Sequence, residues 1–201
     1  MKKAVLAALV AAASFQAVGS EYVSDGWYIG LDVIDTELSA KNWTEGAVSS
    51  NSVSDVSSTS LAAAVGYDFN LVEYLYLGVE LEYAYYGSFD VVLDGSIQYP
   101  VQKLEFTALN LNLKPKYYIA DTAVYLGGIF GIGFVNGNND SMNSGTYGSS
   151  ASGDSVIMGA ELGYNFTKEL SVNLGYRTTT AKFDNVDFDM KTIFAGLDYK
   201  F

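Results

Sequence analysis

The sequence predicts an all-β protein, an eight-stranded antiparallel up-and-down transmembrane β-barrel, and three observations carry that expectation. Eight separate segments alternate apolar with small or polar residues at period two, the signature of a strand with two different faces. The connections between these segments are short and long in turn. The composition suits strands, with 16 Tyr, 11 Phe and 20 Gly but only 2 Pro in 201 residues.

The segments can be taken in order. The first sets Trp27, Ile29, Leu31 and Val33 against Tyr28, Gly30 and Asp32. The second sets Leu61, Ala63, Val65, Tyr67 and Phe69 against Ser60, Ala62, Gly66 and Asp68. In the third, Leu75, Leu77, Val79, Leu81, Tyr83 and Tyr85 oppose Gly78, Glu80 and Glu82. In the fourth, Leu109, Leu111, Leu113, Tyr117 and Ile119 oppose Asn110, Asn112, Lys114 and Lys116. The fifth places Val124, Leu126, Phe130, Ile132 and Phe134 opposite Tyr125, Gly127, Gly131 and Gly133. The sixth runs Val156, Met158, Ala160, Leu162, Tyr164, Phe166 against Ser155, Gly159, Glu161, Gly163, Asn165. The seventh has Val172, Leu174 and Tyr176 against Ser171, Asn173, Gly175 and Arg177. The last has Ile193, Ala195, Leu197, Tyr199 and Phe201 against Thr192, Phe194, Gly196, Asp198 and Lys200.

Short turns are expected at 70–74, 120–122 and 167–169, and long polar loops at 39–58, 88–103 and 136–153, with a briefer one at 184–187. Short connections on one side and long ones on the other are the pattern of an outer-membrane barrel, whose closure leaves no strand edge unpaired in lipid. A soluble ligand-binding barrel would turn its apolar face inward. Here the polar face collects glycines and charges, while Trp27, Tyr67, Phe69, Tyr117, Tyr164, Phe166, Tyr199 and Phe201 gather towards strand ends on the apolar face. That clustering suits an interfacial girdle, so the apolar face points to lipid. Leu104, Phe106 and Ala108 fall on the polar phase, which calls for a bulge or a position near the rim. Pro115 removes one ladder hydrogen bond near the short-turn end.

Charge and residue absences narrow the function. A net charge of −12 argues against a nucleic-acid partner. With neither Cys nor His, the chain has no disulfide, no thiolate site, no Ser-His-Asp triad and no imidazole base, and no cofactor is implied. Lys2 and Lys3 precede the apolar stretch 4–13, too short to span a bilayer, with Ala17, Gly19 and Ser20 following. Residues 1–20 therefore read as a secretory signal peptide and residues 21–201 as the barrel domain.

Gly26-Trp27-Tyr28-Ile29-Gly30, the eight alternating strands and the terminal Ala195-Gly196-Leu197-Asp198-Tyr199-Lys200-Phe201 resemble the OmpA, OmpX and opacity-type small outer-membrane barrels over about residues 21–201. The resemblance implies the outer membrane of a Gram-negative cell, with its lipid and lipopolysaccharide as surroundings. It also implies recognition by the barrel assembly machinery through an aromatic C-terminal residue, here Phe201, with Tyr199 and Leu197 in the alternating positions. The chain stops at Phe201, so a barrel without a periplasmic peptidoglycan-binding domain is expected.

Barrels of that family hold Glu, Arg and Lys in the lumen, and the matching residue types are Glu80 or Glu82, Lys114 or Lys116, Glu161 and Arg177. One reading is a fixed salt-bridge network plugging the interior, because an unpaired buried charge is costly. The other is a narrow ion path opened when Arg177 exchanges between Glu80 and Glu161. No enzyme is expected, since the known outer-membrane lipases, acyltransferases, deacylases and proteases rely on a His. Glu80 and Glu82 share a strand face like a carboxylate pair, but in a closed interior without room for a sugar. The long loops, with Trp43 and Tyr147 as contact aromatics, suit a structural or surface-interaction role of the adhesion type towards a host or other surface ligand. Asp184, Asp187 and Asp189 could take Ca²⁺ or bridge lipopolysaccharide, although such clusters are usually only solvated and no EF-hand spacing is present.

Overall fold

The computed structural model describes residues 23–41, 56–91, 102–141, 150–183 and 186–201. They form β1 (Gly26–Lys41), β2 (Val56–Val72), β3 (Leu75–Val91), β4 (Gln102–Tyr118), β5 (Val124–Ser141), β6 (Ser150–Asn165), β7 (Leu170–Phe183) and β8 (Val186–Lys200). Each strand pairs antiparallel with its neighbours in sequence, and β1 pairs with β8, so the sheet closes on itself. At the seam Phe201 N–H donates to the Trp27 carbonyl at 2.9 Å.

The strands outrun the expected loop boundaries. β1 and β2 enter the 39–58 stretch, β3 and β4 enter 88–103, β5 and β6 enter 136–153, and β8 already begins at Val186. The reason is that backbone ladder bonds form whatever the side chains are, so pairing continues where the apolar alternation stops. Strands of 14–18 residues exceed the roughly 9–11 needed to cross a hydrocarbon core, and the surplus lies at the long-loop end.

The alternating faces lie as the pattern requires. The large apolar side chains of the first face point outward, Ile132 being 64% exposed, and form one belt around the barrel. Aromatic pairs mark its short-turn edge: Trp27 with Tyr67, Tyr67 with Phe69, Tyr164 with Phe166 and Tyr199 with Phe201, at ring separations of 4.6–5.4 Å. Above the belt the outward positions turn polar, with Asp35, Glu37, Asp154, Lys182 and Lys191.

Leu104, Phe106 and Ala108 need no bulge in β4; they keep the inward phase, because the interior is apolar at that height. The bulge sits opposite, in β3 between Tyr85 and Gly87, where Gly87 takes φ +92° beside Ser58. Tyr86 keeps the inward phase of Glu82 and Ala84, and the extra residue then turns Phe89 inward as well, so Phe89 meets Phe106 at 6.0 Å. Around Pro115 the β4–β5 ladder has a gap between Leu113–Phe130 and Lys116–Gly127, with register unchanged on either side. That gap is the missing N–H.

The interior glycines have a steric task. Across neighbouring strands an inward glycine repeatedly faces a bulky inward residue: Gly66 faces Tyr28, Gly163 faces Tyr125, Gly137 faces Phe106 and Gly175 faces Phe194. A Cβ on Gly66 would stand 2.5 Å from Tyr28 Cζ. Each ring lies over the bare backbone beside it, which lets an eight-stranded barrel fill its narrow interior.

Candidate functional site: a lumen of two layers

The half of the lumen towards the short turns is polar and tightly paired. Lys114 Nζ stands 2.9 Å from Glu161 Oε2 and 3.3 Å from Glu80 Oε2. Glu80 also accepts from Tyr28 Oη at 2.8 Å and from Asn112 Nδ2 at 3.1 Å. No donor is aligned on either oxygen of Glu161, so its contact with Lys114 is an ion pair without good hydrogen-bond geometry. Glu82 accepts from Arg177 Nη1 at 2.5 Å and from Asn110 Nδ2 at 2.7 Å. Nearest the short-turn end, Asp68 takes Lys116 and Lys200, each at 2.9 Å, and Lys200 also donates to the Ser24 carbonyl. Lys116 Nζ lies 4.9 Å from the centre of the Tyr28 ring and 5.4 Å from that of Tyr125, so aromatic faces supply part of its surroundings.

The half towards the long loops is apolar. Ile34, Leu38, Tyr86, Phe89, Phe106, Ile129, Val135, Phe188, Met190 and Phe194 are buried inside the barrel and pack into one cluster, Ile34 having no accessible surface at all. Thr36 and Thr192 hydrogen-bond to each other within it at 3.0 Å. Near its top Phe183 meets Phe188 edge to face, and both rings pack at a tilt against Phe106. Any solute passing along the axis would have to part this packing.

The six charged residues singled out in the sequence all face inward. Their partners differ from the exchange envisaged there: Arg177 holds Glu82, while Glu80 and Glu161 are both held by Lys114. Sequence reasoning placed Asp32, Asp68, Asp198 and Lys200 on the same face but did not connect them, and it missed Tyr28, Asn110 and Asn112 as hydrogen-bond partners. The apolar cluster was also missed beyond Leu104, Phe106 and Ala108. The same inward phase at Ile34, Leu38, Ile129, Ile157, Phe188 and Met190 would have revealed it. Trp43, Tyr147, Asp184 and residues 1–20, where a signal peptide is expected, lie outside the described residues. Asp187 and Asp189 belong to strand β8, not to a loop, and alternate with the buried Phe188 and Met190.

A family model described as outer membrane protein beta-barrel domain matches residues 4–201. The chain belongs to this family. Among solved structures, OprG of Pseudomonas aeruginosa is 14% identical at a TM-score of 0.56, covering 88% of this chain and 96% of OprG. Neisserial surface protein A is 16% identical at 0.51, covering 88% and 97%. The attachment invasion locus protein Ail of Yersinia pestis is 18% identical at 0.48, covering 88% and 100%. No curated protein sequence matches the chain. The first two likenesses speak for the fold, and the family places this outer-membrane barrel in the outer membrane with its apolar belt against lipid.

Proposed function

We propose that this outer-membrane barrel is a closed scaffold that presents its long-loop end at the cell surface and acts by contact there. The observation that carries the reading is the apolar cluster across the loop-side half of the lumen, backed by a layer of buried ion pairs below it. An apolar constriction resists ions, and four of the six carboxylates beneath it are already held by Lys or Arg. The alternative, a narrow channel gated by Arg177, would require Arg177 to leave Glu82, displace Lys114 and part the cluster above. Catalysis has little to work with either. Glu80 and Glu82 are both buried and each is held by a basic residue and an asparagine.

Attachment of a non-adherent bacterial strain displaying the barrel to a cell monolayer tests the reading. Replacing 42–55 and 142–149, which carry Trp43 and Tyr147, by Gly/Ser segments of equal length is expected to abolish attachment while the heat-shifted gel band persists. Unchanged attachment would remove the loops from the account.

The C-terminal residues are assigned a separate role in assembly, with Leu197 and Tyr199 outward on β8 and the Phe201 ring 74% exposed beyond it. The Phe201 ring touches Tyr199 at 5.4 Å, and its seam hydrogen bond uses backbone only. Phe201→Ala should therefore fold in detergent like the native chain yet accumulate less in the outer membrane of cells. Equal membrane levels for both chains would deny Phe201 a part in recognition by the assembly machinery.

A further inference from the structure

Among the described residues six carboxylates but only four cations point into the lumen, and the imbalance has a location. Asp68, Glu80, Glu82 and Glu161 each meet a Lys or Arg. Asp32 and Asp198 meet none, and Lys114, whose field reaches both, is already held by Glu80 and Glu161. The two lie together on the β1–β8 pair, where Asp32 faces Gly196 and Asp198 faces Gly30.

Gly196 is also flanked from the other side by Asn173 of β7. Asp32 Oδ1 and Asn173 Oδ1 both reach the space where a Cβ on Gly196 would stand. Asn173 is 5% exposed, donates Nδ2 to Asp198 Oδ2 at 3.1 Å, and leaves Oδ1 with no donor. A single amide cannot serve two carboxylates lying on its opposite sides. Turning it over would give its N–H group to Asp32 and aim its oxygen at Asp198, so oxygen faces oxygen in either orientation. The Asp32 side chain makes no hydrogen bond to any described residue, although it points into the lumen and packs against Gly196. A small hollow at the short-turn end, lined by Asp68, Lys116, Lys200 and Tyr28 among others, reaches Asp198.

We propose that Asp32, Asp198 and Asn173 bind one hard divalent cation of the Ca²⁺ type, taken up from the periplasmic end. All three side chains offer oxygen, the ligand such a cation prefers, and its charge matches the two unpaired carboxylates. Among the described residues no third carboxylate joins them, so water completes the coordination. The site is independent of whatever the external loops contact.

Equilibrium dialysis of ⁴⁵Ca²⁺ against the refolded chain in lipopolysaccharide-free detergent micelles tests the site. The expected result is saturable binding of about one ion per chain, weakened on the order of tenfold or more by Asp32→Asn and by Asn173→Ala. Asp189→Asn, in the outer half of β8, should leave it unchanged. Folding of each variant is read from its heat-shifted gel mobility, and Asp198→Asn serves if Asp32→Asn does not fold. Absence of saturable binding, or native affinity in the folded lumen variants, would overturn the site. So would loss of binding in Asp189→Asn, which would move it to the outward acids.

Discussion

Lys114→Met should lower the stability of the folded barrel by about 3–5 kcal/mol, the cost of leaving a buried charge without its partner. Lys114 is the cation that neutralises Glu161 and the shared partner of Glu80, and all three are nearly fully buried. The two carboxylates will not suffer equally. Glu80 keeps Tyr28 and Asn112 as donors, whereas Glu161 is left with no aligned donor. Adding Glu161→Gln to Lys114→Met should therefore recover much of the loss, while Glu161→Gln alone should cost less than Lys114→Met. Urea unfolding in vesicles, followed by tryptophan fluorescence, measures all three. A cost for Lys114→Met below about 1 kcal/mol would mean the lumen is wet enough to screen the charges, as at a surface.

The second large effect is steric. Gly163→Ala should destabilise by about 1–3 kcal/mol, because the new methyl falls on the Tyr125 ring, which is boxed in by Tyr118 at 5.2 Å. The matching outward change, Gly128→Ala, puts its methyl 3.1 Å from Phe130 Cε2, and that ring is free to swing in lipid. Its effect should stay within about 0.5 kcal/mol. Tyr125→Ala combined with Gly163→Ala should cost less than the two single changes taken together. Strict additivity would show that the ring and the glycine do not share space, and the account of how the interior is filled would fail with it.

Much of the fold was legible because a strand's side-chain period is fixed by geometry. Outward residues such as Ile29, Leu111 and Ile193 meet lipid along the whole belt, so they are uniformly apolar and the phase is plain. Loop boundaries were less legible because Ser57, Asn136 and Ser152 continue the ladder through backbone bonds that carry no hydropathy signal. The bulge at Tyr86 was hidden for a related reason: both faces are apolar there. In the lumen, residue types could be assigned to the inward face but not to partners. Pairing depends on stagger between distant strands, and Arg177 reaches Glu82 across 95 residues of sequence. The convergence of Asp32, Asn173 and Asp198 around Gly196 likewise exists only once β8 closes between β7 and β1.

The central claim is that the barrel is closed along its axis and works from its outer surface. Single-channel recording of the refolded chain in a planar bilayer, with folding verified by heat-shifted gel mobility, tests it most directly. The account predicts a silent bilayer at either polarity, for the native chain and for Arg177→Ala alike, since the apolar cluster from Ile34 to Phe194 seals the lumen without help from Arg177. Discrete, reproducible conductance steps that change in Arg177→Ala would contradict it and make the lumen a gated path.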